Sequence, residues 1–251
     1  MKAMILEKIC SLQENTSPLT LVEMAPPVPH GEDLLVKVSA CGVCHTELDE
    51  IEGRTPPPTL PMIPGHQVVG RVHGMGPDTH RYTLGDRVGV AWIFSVCGTC
   101  RFCSDGYENL CEGFQATGRD AHGGYAEYMT VSERFVYRIP DLFSDMEAAP
   151  LLCAGAIGYR SLHLTNLAIR KETSDQGCLL ELDYASHLWL EKEIKSVANV
   201  TRQDVKAFLA LAADIRIRPE VQEFALAEAN QALVELKERK IRGAKVLVMD
   251  R

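Results

Sequence analysis

At 251 residues, with 46% hydrophobic and 24% charged residues, the chain belongs with folded globular proteins and has room for one large domain or two smaller ones. A formal net charge of -8 gives no electrostatic reason to hold phosphate backbones or anionic lipid, so neither nucleic acid nor a membrane is expected as a partner. Met1 to Ser11 carries Lys2, Glu7 and Lys8 and lacks the apolar run of a secretion signal, and no stretch approaches the roughly 18 apolar residues of a membrane span. A cytoplasmic location is therefore expected.

The first part of the chain reads as strand and turn. Leu34 to Val38, Val68 to Val72 and Val88 to Trp92 are apolar segments separated by Gly, Pro and Asp, and seventeen of the nineteen glycines lie at or before Gly158. Ser144 and Glu147 have capping-box spacing ahead of the run Ala148 to Ile157, which predicts a helix despite Pro150. From Lys171 to Glu181 no period is visible, and Leu182 to Leu190 resumes with apolar and aromatic content. Thr201 and Asp204 then cap a helix with Val205, Phe208, Leu209 and Ala212 on one face. A strand over Pro219 to Phe224, a helix marked by Leu226, Ala229, Leu233 and Leu236, and a last strand over Ala244 to Met249 complete the reading.

Nine cysteines in a reducing compartment call for a reason other than disulfides. Cys97, Cys100, Cys103 and Cys111 form C-x-x-C-x-x-C with a fourth cysteine after a seven-residue gap, which suits the closed tetrahedral shell of structural zinc. A metal-free cysteine-rich loop and an iron–sulfur cluster are the alternatives. The bacterial ferredoxin run has its fourth cysteine nearer and followed by proline, whereas Glu112 follows Cys111 here, so zinc is favoured. Cys44, His66 and Cys153 also sit in unusual local settings. Spacing alone does not join them, because a single buried Cys or His is more often core than ligand.

The segments Cys41-Gly-Val-Cys-His-Thr, Pro64-Gly-His-Gln-Val-Val-Gly, the four-cysteine loop and Cys153-Ala-Gly, in that order, resemble the successive signatures of zinc-dependent medium-chain alcohol dehydrogenases. The resemblance implies a catalytic zinc held by Cys44, His66 and Cys153, with a fourth position open to water or alcohol. It implies that Thr46 passes the alcohol proton onward, that His45 touches coenzyme phosphate and that Trp92 lines the substrate pocket. Glu47 stands where the family has an aspartate orienting the zinc-bound histidine. Two positions depart from the family: Gln67 replaces its glutamate, and Asp49 stands where several relatives end the proton relay with histidine.

The resemblance covers residues 1 to about 170 and returns from about Leu182, where Ser196-Val-Ala-Asn and Ile241-Arg-Gly-Ala-Lys match closing segments. Between these blocks the family has most of a Rossmann domain, and here there are only Lys171 to Glu181. A dinucleotide-binding unit needs a strand, a glycine-rich turn, a helix and a later acidic residue, over roughly thirty positions. After Gly158 only Gly177 and Gly243 remain. The expected fold class is α+β. A GroES-like β-barrel catalytic domain occupies residues 1–150, and a linking helix, a truncated α/β Rossmann remnant and a return segment occupy 151–251. By resemblance the chain holds two zinc ions and oxidises a primary or secondary alcohol to aldehyde or ketone with NAD(P). The missing cradle predicts that NAD(P) does not bind, leaving an active dehydrogenase, a non-catalytic zinc-stabilised module or a truncated relic as readings, with loss of turnover ranked above conventional activity. An alcohol or aldehyde is the expected small-molecule partner. Self-association is expected from apolar faces patterned for a larger sheet.

Overall fold

The structure, a computed structural model, describes residues 1–165 and 195–250. The expectations for Lys171 to Glu181 and Leu182 to Leu190 lie outside the described residues. In chain order the elements are β1 (Lys2–Leu6), β2 (Leu19–Glu23), β3 (Asp33–Val43), α1 (His45–Ile51), β4 (Val68–Met75), β5 (Arg87–Val90), β6 (Ile93–Ser95) and α2 (Arg101–Ser104). After these come β7 (Gln115–Ala116), β8 (Tyr128–Ser132), β9 (Val136–Arg138), α3 (Asp145–Pro150), α4 (Ala156–Leu164), α5 (Arg202–Asp214), β10 (Val221–Ala225), α6 (Ala229–Lys237) and β11 (Ala244–Val248). None of the helices in the described residues is long and apolar enough to cross a membrane.

The long strand β3 organises the molecule. Its Leu34, Val36 and Val38 are buried while Lys37 between them is exposed, the period-two pattern of a strand with one face on the core. From Ala40 to Val43 every residue is buried, because there the strand is covered on both faces. It pairs antiparallel with β4 and with β8, and its last residues pair antiparallel with β11. The result is a seven-stranded sheet ordered β10-β11-β3-β4-β5-β9, with β8 on β3. The expected α+β class holds, and the three apolar segments of the first part fall on β3, β4 and β5, although β5 ends at Val90 and the chain turns through Ala91 and Trp92 into β6.

The C-terminal elements complete this sheet. The expected final strand is β11, whose Val246 and Leu247 are fully buried and whose register places Leu247 opposite Cys41. β10 runs parallel beside it, beginning at Val221 rather than Pro219, whose ring nitrogen has no hydrogen to give a ladder. α5 begins at the expected capping box of Thr201 and Asp204 and buries Val205, Phe208, Leu209 and Ala212. α6 packs its buried Ala229, Ala232, Leu233 and Leu236 inward, and Asn230 hydrogen-bonds both the N–H and the carbonyl of Leu19, at 3.0 and 2.8 Å. Lys245, 2% exposed, is paired with Glu235 at 2.6 Å and lies 4.8 Å from the Phe224 ring centroid. The described part of the expected remnant is thus joined to the sheet of the first part, with its helical apolar faces covered, rather than left as an unpartnered fragment.

Because β11 is hydrogen-bonded directly to β3, Leu247→Ala is expected to destabilise the whole fold, by roughly 2–5 kcal/mol for a buried leucine. Urea unfolding should show one cooperative transition moved to lower denaturant. Two separate transitions, with the substitution shifting only one of them, would contradict this integration.

Candidate metal centres

Helix α1 begins at Cys44, the residue after β3, with Cys44 in extended geometry at the N-cap. Glu47, three residues on, turns its Oε2 back to accept the Cys44 N–H at 2.8 Å, which fixes the direction in which the Cys44 side chain leaves the backbone. The other oxygen of Glu47, Oε1, lies 2.6 Å from Nδ1 of His66. Glu47 is fully buried and His66 is 1% exposed. With Nδ1 engaged as the donor to a carboxylate, the imidazole presents a bare Nε2 on its other side, and that atom is buried without a partner among the described residues.

His66 reaches this position through Gly65. The glycine has φ +99, and a Cβ there would stand 2.4 Å from the Tyr125 ring and 2.9 Å from Cys41 Sγ, so only glycine allows the turn. Cys153 arrives from the far side of the sheet. The capping box of Ser144 and Glu147 starts α3 as expected, with Glu147 N–H donating to Ser144 Oγ at 3.2 Å. Pro150 carries no N–H, and the helix widens into a π turn over Leu151–Gly155 before tightening again as α4. Cys153 sits in that turn, 5% exposed. Gly155, two residues later, admits the Phe208 ring of α5, for a Cβ there would lie 2.3 Å from Phe208 Cε1. Arg160 of α4 meets Asp204 of α5 at 2.7 Å. The C-terminal helix therefore backs the turn that carries Cys153.

The structure brings Cys44, His66 and Cys153 together, with ligand atoms all within 4.8 Å of one another. Contact with Cys153 draws the Cys44 thiol well below its ordinary range against the opposing effect of burial, and contact with Cys44 pushes Cys153 well up. Thr46 Oγ1 lies 3.7 Å from Cys44 Sγ, and the Trp92 and His66 ring centroids are 5.9 Å apart. His45 is exposed at the start of α1 and is not among the ligand set. Asp49 is engaged by Arg54, whose Nε donates to it at 2.6 Å. Gln67 is buried against Gly42, where a Cβ would stand 2.6 Å from its Oε1.

Sequence reading missed three neighbours. Glu50 is 1% exposed and neither of its carboxylate oxygens has a hydrogen-bond partner among the described residues. Burial, then the charge of Glu47, pushes its proton affinity well above the ordinary carboxylate range. Tyr125 is fully buried with an unpartnered hydroxyl, and the Arg119 guanidinium lies 5.9 Å from the Trp92 ring. Nothing in the local sequence marks their burial: Glu50 sits on α1 one turn after Glu47, and Arg119 and Tyr125 lie in the stretch between β7 and β8.

The second set is local. Cys97 precedes Gly98, Cys100 caps α2, Cys103 lies within it, and Cys111 follows a 3-10 turn over Glu108–Leu110. The sulfur separations are 3.5 Å for Cys97–Cys111, 3.6 Å for Cys100–Cys103 and 3.9 Å for Cys97–Cys103. Four thiolates at about 2.3 Å from a central zinc would lie about 3.8 Å apart, so the lobe already has the dimensions of a tetrahedral site. Backbone N–H groups of Thr99 and then Cys100 lower the Cys97 thiol to about 6, so a thiolate is available at neutral pH. The lobe is tied to the C-terminal part by Glu108 to Arg202 at 3.0 Å and by Asn109 Nδ2 donating to the Ala198 carbonyl at 2.6 Å.

Residues 30–141 match the family model described as "Alcohol dehydrogenase GroES-like domain". A probable alcohol dehydrogenase, AdhA, of Mycobacterium tuberculosis is 34% identical, with 94% of this chain and 94% of that protein covered. That alignment runs over 325 residues, more than the 251 of this chain, so an internal stretch of the relative has no counterpart here. An alcohol dehydrogenase of Geobacillus stearothermophilus is 43% identical over 63% of this chain, but only 47% of its own length is covered. Among solved structures, a cobalt- and zinc-bound thermostable alcohol dehydrogenase from Pyrobaculum aerophilum superposes with a TM-score of 0.87 over 99% of each chain at 18% identity, a likeness of fold. A GroES-like fold with two cysteine-rich clusters defines the class of protein. The chain belongs to the zinc-dependent medium-chain alcohol dehydrogenase family.

Proposed function

We propose that the chain carries two zinc ions and that the one at Cys44, His66 and Cys153 binds an alcohol or the corresponding aldehyde or ketone. The observation that carries this reading is the bare, buried Nε2 of His66 facing two cysteines whose sulfurs complete a three-ligand set, while its other ring nitrogen is held by Glu47. Three ligands leave an open position, and zinc there supplies Lewis acidity that eases loss of the alcohol proton. The chain's own residues do the rest. Glu47 holds the His66 tautomer and the Cys44 backbone in one grip, the Thr46 hydroxyl beside Cys44 relays the alcohol proton onward to solvent as it gives up its own, and Trp92 forms an apolar wall that excludes water. Cys97, Cys100, Cys103 and Cys111 hold the second zinc in a closed, structural shell. By family likeness the reaction is oxidation of a primary or secondary alcohol with NAD(P).

A second reading, alcohol binding without coenzyme-linked turnover, is supported by the internal stretch of the Mycobacterium relative that has no counterpart here and by the lack of a glycine-rich turn in the sequence after Gly158. Dinucleotide affinity comes mainly from pyrophosphate on backbone amides and ribose on an acidic side chain, and the exposed His45 replaces neither.

Elemental analysis of the purified protein should find close to two zinc ions per chain. Cys44→Ala should lose one of them with modest loss of stability, and Cys100→Ala should lose the other with a much larger fall in Tm. Iron, or no metal, would overturn the assignment, and equal loss of stability would overturn the division of roles. Titration with NADH, followed by fluorescence, separates the two functional readings. The second reading expects no saturation below about 10 micromolar and no alcohol oxidation above background, whereas saturable binding with turnover abolished in Cys44→Ala would establish a working dehydrogenase.

A further inference from the structure

Outside both cysteine sets, the structure has a cavity of about 410 Å³ between α5 and the end of the sheet, lined by Arg81, Tyr82, Tyr137, Arg138, Lys206 and Leu209 among others. Three of these are cations, in a chain whose formal net charge is -8. Arg138 is paired with Asp86 at 3.0 Å and its guanidinium lies 5.0 Å from the Tyr82 ring. The side chains of Arg81 and Lys206 are exposed and have no ion-pair or hydrogen-bond partner among the described residues. Tyr137 is 8% exposed and its hydroxyl makes no hydrogen bond there either, while burial raises its proton affinity and keeps it a donor.

The walls are held in place. Glu133 Oε2 accepts the backbone N–H groups of His80 and Arg81 at 3.0 and 2.8 Å, and the Arg81 carbonyl accepts from Arg138 at 3.3 Å. Tyr82 donates its hydroxyl to the Val136 carbonyl at 2.7 Å. Asp86 and Glu133 are thus already engaged, as are Glu108 with Arg202 and Asp204 with Arg160, the acids whose charges reach Tyr137, and neither Arg81 nor Lys206 is paired with an acid among the described residues. Leu209, 3% exposed, and the Tyr82 ring give it an apolar side. A preformed space whose lining holds an apolar wall, two uncompensated cations and a free hydroxyl suits a small ligand with a flat apolar body and an anionic head.

We infer that this cavity is a second ligand site, separate from the metal centres, that takes a small aromatic anion. Its head is held by Arg81, Lys206 and the Tyr137 hydroxyl, and its ring lies against Tyr82 and Leu209. The inference stands without the proposed function, because no lining residue belongs to either cysteine set.

Isothermal titration of the zinc-loaded protein with naphthalene-2-sulfonate, and with neutral naphthalene-2-sulfonamide, tests it. The sulfonate should bind saturably with a dissociation constant below about 1 mM and at least roughly tenfold more tightly than the sulfonamide. Arg81→Glu with Lys206→Glu should weaken sulfonate binding by roughly tenfold or more while zinc content and Tm stay as in the parent, and Tyr137→Phe should weaken it a few-fold. Absence of saturation, equal binding of the two probes, binding unchanged in the charge-reversed variant, or binding lost in Cys44→Ala instead would each overturn the site.

Discussion

A single buried carboxylate ties together the parts on which the proposed chemistry depends. Glu47 accepts the Cys44 N–H with one oxygen and holds His66 Nδ1 with the other, so the start of α1 and the turn after Pro64 are set relative to each other by one side chain. Neither contact is separable from the other: moving the helix N-terminus would move the histidine. Glu47 is fully buried, and holding a charge there out of water is eased by these two contacts, whereas the equally buried Glu50, with neither oxygen partnered among the described residues, has its proton affinity pushed well up. Glu47 stands where the family resemblance implies an aspartate, and its side chain reaches both the Cys44 N–H and His66 Nδ1.

The third member of the set depends on a different contact, between residues far apart in the sequence. Cys153 lies in a π turn forced by Pro150, and the turn is backed by Phe208 from beyond residues 166–194, fitted against Gly155. Arg160 and Asp204 join the same two helices, and β11 closes the sheet against the strand that leads into Cys44. Residues 1–165 and 195–250 therefore share one seven-stranded sheet, and each of the two hydrophobic clusters draws residues from both stretches. On this account the capacity to hold metal and the capacity to hold a coenzyme are separable properties of the chain.

Much of this was legible in the residues. The four-cysteine lobe is local, and its spacing alone gave the cluster. The capping boxes at Ser144 and Thr201 and the apolar face of Val205, Phe208, Leu209 and Ala212 are short-range signals that tertiary packing reinforces. Cys44, His66 and Cys153 were joined only through resemblance, because what unites them is the pairing of β3 with β4 and the return of α3 over the sheet, neither of which is written in spacing. The C-terminal return segment was expected, but not the strand it would pair with, for the same reason. An amphipathic helix and a five-residue strand do not say which sheet they serve, and here β11 finds its partner in β3, some two hundred positions earlier. Glu50, Tyr125 and Arg119 were invisible, since a buried carboxylate looks no different in sequence from a solvated one.

The most direct test is X-ray absorption at the zinc edge on the purified chain. The account predicts a mixed shell, with Zn–S at about 2.3 Å and Zn–N at about 2.0–2.1 Å, clear imidazole scattering, and close to three sulfurs per zinc when a four-cysteine set is averaged with a set holding two cysteines and one histidine. A shell of four sulfurs with no imidazole contribution would mean that the Cys44, His66 and Cys153 set holds no zinc, and would contradict the account at its centre.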